Sequence, residues 1–104
     1  MDRETALTAR KYAQRVRRSY PDAQVILFGS RARGENWITS DYDFIVISRK
    51  FVGVPLRERI RLLLNLWTFS KDADVIGLTP KEFKSQRTTS TLIRLALRDG
   101  LSLN

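Results

Sequence analysis

The sequence predicts a small mixed α/β (α+β) fold, in which a β-sheet of at least three strands is packed by helices. Three short apolar runs of strand-forming residues alternate with four longer segments of helical periodicity, in the order α-β-β-α-β-α-α. A chain of 104 residues can build one hydrophobic core and hardly a second. We therefore expect a single domain over residues 1–104.

The first half of the chain predicts one helix and two strands. Apolar residues recur at helical spacing from Arg3 to Ser19, and Pro21 cannot continue that helix. Val25 to Phe28 and Asp43 to Ile47 are short continuous apolar runs, which are typical of strands covered on both faces. The apolar positions of the helix are Ala6, Ala9, Ala13 and Val16.

The second half predicts a core-packing helix and a third strand. Pro55 suits a helix N-terminus, and the helix is predicted to run to Ser70. Ala73 to Leu78 is the third strand. The apolar stripe expected to face the core consists of Leu56, Ile60, Leu63 and Trp67.

Two further helices are predicted towards the end of the chain. Thr79 is a suitable N-cap, followed by Pro80 at the first helical position and Glu82 at the capping-box position. The last helix is predicted from Thr91 to Arg98 and stops at Gly100. Its core-facing side should carry Leu92, Ile93 and Ala96.

The composition excludes several kinds of chemistry. The chain contains no Cys and no His, which excludes disulfides, thiolate or imidazole metal sites and histidine acid/base catalysis. In an enzyme of this composition, carboxylates must do the chemistry. The net charge of +8 favours a polyanionic ligand or an acidic partner. No run approaches the roughly 18 apolar residues of a membrane span, so we expect a cytoplasmic protein with no membrane partner.

Three carboxylates and a Gly-Ser pair should meet at one end of the sheet. Gly29 and Ser30 follow the first strand, whereas Asp41 and Asp43 lie at the start of the second. These groups can share a site if the two strands are antiparallel. Asp74 opens the third strand and joins them if strands two and three are parallel, with the intervening helix as the crossover.

Such a cluster of like charges requires a cation. Asp41 and Asp43 project to one face because they are two residues apart, and Asp74 on the neighbouring strand can complete a triangle. Oxygen ligands favour Mg²⁺ or Mn²⁺, and two such ions are the usual device for displacement at phosphorus. Gly29 and Ser30 at the start of a short helix, with Arg31 and Arg33, would suit a triphosphate.

Each of these features also has a simpler explanation. A Gly-Ser pair after a strand is often a turn, and "SDYD" can form a local side-chain turn. Asp43 and Asp74 can each be core carboxylates neutralised by arginine. Basic helix faces are commonly solvated surface. Trp37 and Trp67 are interpreted as packing anchors rather than as base-stacking platforms.

The combination resembles a known family. "GSRARG", then "DYD" separated from Ser30 by ten residues, then a third Asp opening an apolar strand resembles the signature of the DNA polymerase β-like nucleotidyltransferase superfamily. The spacing and the chain length are similar to those of minimal nucleotidyltransferases found beside HEPN-domain proteins in prokaryotes. The resemblance covers Val25 to Leu78 strongly and the flanking helices loosely.

The resemblance implies a site and a function. Gly29 and Ser30 would hold the nucleoside triphosphate with help from Arg33. Of the three catalytic carboxylates, Asp41 and Asp43 would ligate Mg²⁺, and Asp74 would complete a second metal site and activate the attacking hydroxyl. Family members of this size act as antitoxins, some by attaching AMP from ATP to a HEPN toxin, which implies transfer of a nucleoside monophosphate to a hydroxyl of a partner macromolecule.

Several points stay open at the level of sequence. Asp72 shares the parity of Asp74, although Asp74 is preferred because it lies within the apolar strand. The loop with Asn36, Trp37 and Ile38 departs from the small residues common in the family, which leaves the base preference open. The alternative function is a non-catalytic binding module, either a steric antitoxin or a basic RNA-binding protein. Exposed sheet edges leave homo-oligomers open as well.

Overall fold

Five helices and four strands alternate along residues 1–103, the part of the chain that the computed structural model describes. In chain order the elements are α1 (Arg3–Ser19), β1 (Gln24–Phe28), α2 (Gly29–Arg33), β2 (Tyr42–Ile47), α3 (Leu56–Asn65), β3 (Ala73–Leu78), α4 (Pro80–Thr89), α5 (Thr91–Asp99) and β4 (Leu101–Leu103), with a single 3₁₀ turn at Arg49–Phe51 between β2 and α3. The predicted mixed α/β class is confirmed.

The four strands form one mixed sheet in the order β3-β2-β1-β4. β1 is antiparallel to β2 and to β4, whereas β2 and β3 are parallel and are joined by the crossover through α3. The predicted strand directions are therefore correct. In the resulting register Phe28 lies opposite Asp43, and Asp43 lies opposite Asp74.

The two faces of the sheet carry separate apolar clusters. Alternate residues of β1 and β2 pack against α1, where Tyr12 also donates a hydrogen bond to the carbonyl of Leu63 in α3 at 2.8 Å. The other face is smaller and is covered by α5, through Ile93 and Ala96, and by Phe83 of α4. Asp43 alternates with Tyr42 and Phe44 of the first cluster and so points to the α5 face.

Local end signals explain the helix boundaries that were predicted correctly. Helix α1 spans the predicted residues, and the Asp2 side chain caps it by accepting a hydrogen bond from the Thr5 amide at 2.7 Å. Helix α4 begins with the predicted capping box, in which Thr79 and Glu82 bond to each other's backbone amides. These signals require only residues within one turn of each other.

The predicted length of α3 is wrong, and of its predicted apolar stripe only Leu63 is buried within the helix. The helix ends at Asn65 rather than at Ser70, so Trp67 lies beyond it, although its ring still packs against Tyr12 and Phe44. Leu56 and Ile60 are 59% and 41% exposed, and within the helix the buried residues are Arg59 and Leu63.

Arg59, rather than an apolar residue, occupies the buried side of α3, because several hydrogen-bond acceptors surround its guanidinium. It donates to the carbonyls of Val54 at 2.8 Å and Gly77 at 3.1 Å, and to the Glu82 carboxylate at 2.6 Å. Gly77 makes this approach feasible, since a side chain there would lie 3.1 Å from Arg59 Cβ. A buried charge with these partners is tolerated in the core.

The remaining differences concern short or isolated elements. Strand β4 was not predicted, because three residues at a sheet edge give too short a pattern. The last helix stops before Gly100 as predicted, but Leu92 is 57% exposed instead of core-facing. Trp37, expected to be a packing anchor, is 80% exposed. No helix within residues 1–103 is long and apolar enough to cross a membrane.

Candidate active site

The turn from β1 into α2 places Gly29 directly against a carboxylate. Gly29 adopts φ +77°, a conformation that residues with a side chain rarely take. A Cβ at this position would lie 2.4 Å from Oδ2 of Asp43, which is far inside contact distance. Only glycine therefore fits here without a shift of Asp43, and the chain approaches the carboxylate with bare backbone.

Strand register brings two of the predicted carboxylates side by side. Asp43 and Asp74 are direct partners on the parallel strands β2 and β3, which lie about 4.8 Å apart in such a sheet, so both side chains point to the α5 face. Asp74 is exposed and Asp43 is half-buried. Asp41 is exposed and lies one residue before β2, which begins at Tyr42 rather than at the predicted Asp43.

The environment of Asp43 disfavours its charged form. Burial raises the pKa of the Asp43 carboxyl, and the negative charges of Asp74 and then Asp41 raise this pKa further. Arg33 acts in the opposite direction and lowers it. Asp74 and Asp41 are thus close enough to Asp43 to act on its carboxyl.

The donor set suits a hard divalent cation. Within residues 1–103, no protein donor makes a hydrogen bond to the carboxylates of Asp41, Asp43 or Asp74, so their oxygens are available as ligands. Carboxylate oxygens are what Mg²⁺ and Mn²⁺ prefer, and a cation would relieve the repulsion around Asp43. The three side chains do not converge into a preformed metal-binding group in the described part of the chain.

Asp72 occupies a different position from Asp74. It precedes β3, and its backbone carbonyl accepts a hydrogen bond from the Tyr42 amide at 2.9 Å, which closes the end of the β2–β3 pair. It is not among the groups that raise the pKa of Asp43, whereas Asp74 is. The geometry therefore favours Asp74 as the third carboxylate.

Ser30 and Arg33 both lie in α2, beside Gly29. The predicted short helix near Ser30 is present as Gly29–Arg33. Arg33 is in its last turn and pairs with Glu35 at 3.3 Å, while 39% of its side chain stays exposed. Gly29 and Arg33 line an open cavity of about 290 Å³ that α5 closes on its other side.

Arg31 is not the free cation that the sequence suggested. Arg31 is 1% exposed, and its guanidinium donates to the carbonyls of Ser40 and Ile38, both at 2.9 Å, and to the Thr5 hydroxyl at 2.6 Å. It also lies 4.1 Å from the centre of the Tyr42 ring. Arg31 therefore ties α1, α2 and the loop before Asp41 together, and the prediction that it contacts a triphosphate is wrong.

Sequence reasoning missed two contributions to the site. Nothing local distinguishes the buried Arg31 from the accessible Arg33, because the partners of Arg31 lie up to 26 residues away. Leu92 and Leu95 of α5 form a wall of the cavity. A signal for them existed, since "LIRLAL" has more apolar residues than one buried helix face can use.

Comparison with known proteins gives a consistent result. The family described as nucleotidyltransferase domain matches residues 9–97. The fold is similar to that of a proposed nucleotidyltransferase from Sulfolobus solfataricus, with a TM-score of 0.64, 25% identity and coverage of 79% of this chain and 73% of that one. A second proposed nucleotidyltransferase gives a TM-score of 0.57 and 25% identity, covering 88% and 92% of the two chains. No curated protein sequence matches significantly.

Proposed function

Since the chain belongs to the nucleotidyltransferase domain family, we propose that it transfers a nucleoside monophosphate, preferably AMP from ATP, to a hydroxyl of a partner macromolecule. The observation that carries this proposal is the pairing of Asp43 with Asp74 beside the bare backbone of Gly29. Two adjacent carboxylates and a close backbone approach are suited to a metal-bound triphosphate.

The metal would be held by the three carboxylates. Asp41, Asp43 and Asp74 would ligate one or two Mg²⁺ ions, with Mn²⁺ as a substitute, and the ions would neutralise charge on the phosphates. Such a cation would favour the ionised form of the half-buried Asp43, whose pKa is raised by burial and by the charges of Asp74 and Asp41.

The residues of the chain supply positioning and proton transfer. Gly29 and Ser30 would bind the phosphates, Ser30 through its hydroxyl, and Arg33 would balance their charge. The acceptor oxygen forms a bond to the α-phosphorus, and the bond to pyrophosphate breaks. The hydroxyl proton passes to Asp74, which is exposed and so accessible to an acceptor that approaches from solvent.

We further propose that the acceptor belongs to a HEPN-domain toxin and that the chain is its antitoxin in a toxin–antitoxin pair. The resemblance of "GSRARG" and "DYD" to the minimal nucleotidyltransferases supports this partner, and the +8 charge favours an acidic one. We place the activity in the cytoplasm, where the ATP donor is abundant.

The test is an incubation with Mg²⁺, each labelled nucleoside triphosphate and the protein encoded by the neighbouring gene, followed by intact-mass analysis. We expect an AMP-sized increment on the neighbour. Asp41→Asn/Asp43→Asn and Asp74→Asn should each lower the rate about a hundredfold or more, because they remove charge that positions the phosphates.

Asp72→Asn is the matched control and should keep the rate, since Asp72 contributes its backbone carbonyl to the sheet. The proposed transferase activity would be contradicted if no nucleotide reacts. If the double variant also still binds and inhibits the toxin, the chain is a non-catalytic binding module.

A further inference from the structure

We propose that the cavity between α2 and α5 binds the nucleoside end of the donor nucleotide, with the base against Leu92 and Leu95. This inference rests on the proposed function and assigns the part of the site that discriminates among nucleotides. The cavity holds about 290 Å³ and is open to solvent. That volume lies near the lower end of the range for small-molecule sites.

The cavity is continuous with the phosphate end of the site. Gly29 and Arg33 belong to its lining, and Gly29 is also in contact with Asp43. A triphosphate bound at Gly29 and Arg33 therefore has its remaining part, the ribose and the base, within reach of the α5 wall.

The polarity of the lining sets the direction of the nucleotide. Arg33 on α2 is the cation, whereas Asp99 on α5 is a carboxylate that repels phosphate but accepts hydrogen bonds from amino and hydroxyl groups. Arg33 pairs with Glu35 and not with Asp99, so the two walls keep opposite characters. Phosphates suit the α2 wall, and a nucleoside suits the α5 wall.

The α5 wall of the cavity carries two exposed leucines. Leu92 and Leu95 are 57% and 54% exposed, while Ile93 and Ala96 already supply the core contacts of α5. Phe28, at the end of β1, belongs to the same lining. An aromatic base has two apolar faces that would cover these side chains.

The loop of Asn36, Trp37 and Ile38, which departs from the family pattern, does not line this cavity. Asn36 bonds to the Asp2 carboxylate at 2.9 Å, at the start of α1, and the Ile38 carbonyl is held by Arg31. Trp37 in this loop is not part of the cavity lining. The α5 wall therefore provides the apolar surface next to Gly29 and Arg33.

The experiment measures equilibrium binding of ATP and of inorganic tripolyphosphate, both with Mg²⁺, to the wild type and to Leu92→Gln/Leu95→Gln. We expect the Kd for ATP to rise about tenfold in the double variant, because the base loses its apolar wall. The Kd for tripolyphosphate should not change. Leu56→Gln, at a similarly exposed leucine of α3 on the other side of the sheet, is the matched control and should bind both probes normally.

Leu95→Met preserves an apolar wall and should bind ATP like the wild type, which separates the loss of contact from a loss of folding. Wild-type ATP affinity in the double variant would overturn the inference. If the double variant instead forms a weaker complex with a partner protein, the two leucines belong to a protein interface, which overturns the inference as well. An equal loss of affinity for ATP and tripolyphosphate would overturn it too. If the wild type binds neither probe, the proposed function itself fails.

Discussion

Gly29 is the single residue at which backbone conformation and the proposed chemistry constrain each other. Its positive φ allows the chain to turn sharply out of β1, and its missing side chain leaves room for the Asp43 carboxylate. Gly53 has the same φ of +77° but no atom within 4 Å of its Cβ direction. A side chain at Gly53 would therefore cause backbone strain alone, whereas a side chain at Gly29 would cause the same strain and also collide with Asp43.

Gly29→Ala should lower the free energy of unfolding by roughly 2–3 kcal/mol and abolish transfer, because the new Cβ displaces Asp43. Gly53→Ala should cost about 1 kcal/mol from the left-handed conformation alone and leave transfer intact. Urea denaturation and the intact-mass assay measure the two effects. Equal stability losses in the two variants would contradict the predicted contact at Asp43.

Among the elements, the loop between α2 and β2 depends on one buried side chain. Arg31 holds the carbonyls of Ile38 and Ser40, and Asp41 follows directly. Arg31 is a positioning residue in this arrangement, since it reaches the site through the backbone next to a proposed metal ligand. A lysine cannot reproduce the planar fork of donors that these acceptors require.

Arg31→Lys should therefore lower the free energy of unfolding by about 2–4 kcal/mol and loosen the loop. Chymotrypsin cleavage after the exposed Trp37 should become faster under native conditions. Arg15→Lys is the control, because Arg15 bonds to the chain after α3 at Leu66 and Thr68. Unchanged cleavage at Trp37 in Arg31→Lys would show that the loop is held by other contacts.

Helices α3 and α4 are joined through the ion pair of Arg59 and Glu82. Hydrogen bonds from Arg59 and from the Thr79 backbone and side chain lower the pKa of the Glu82 carboxyl, with the Arg59 bond as the largest cause. A carboxyl with a lowered pKa in the folded state stabilises the protein above its unfolded pKa, near 4.5, and loses this contribution as pH falls through the folded pKa.

Glu82→Gln should accordingly cost about 1–2 kcal/mol at pH 7, a value kept small by the partial exposure of Glu82. Glutamine can still form the capping box, so the change isolates the charge. The stabilities of variant and wild type should converge as the pH is lowered from 5 to 3, measured by urea denaturation. A difference that does not depend on pH would rule out the charge as its origin.

On the scale of the whole molecule, the net positive charge favours non-specific binding to polyanions. The 19 basic residues exceed the 11 acidic ones, and such an excess attracts nucleic acids without specificity. We predict measurable binding to an unstructured RNA at 0.05 M salt and a loss of at least tenfold at 0.2 M, measured by fluorescence anisotropy. Tight binding at 0.2 M would instead favour the RNA-binding alternative.

The parts of the fold that could be predicted are those that depend on residues close in sequence or on the strand directions that bring the site residues together. The limits of α1, the capping box at Thr79 and the strand directions that bring Asp43 to Asp74 all follow from short patterns. The burial of Arg31 and Arg59 could not be predicted, because their acceptors are remote in sequence or belong to backbone carbonyls. Partners, rather than residue type, decide whether such an arginine is exposed.

The buried Arg31 also has a consequence for motion. Arg31 lies in α2 and its partners belong to α1, the following loop and β2, so the loop can detach from the body of the protein only if this buried side chain is exposed. Local opening near Asp41 should therefore be about as rare as opening of the core around Tyr42. Amide hydrogens whose exchange depends on this opening should exchange with solvent as one cooperative unit with α1, despite the short and irregular backbone of the loop.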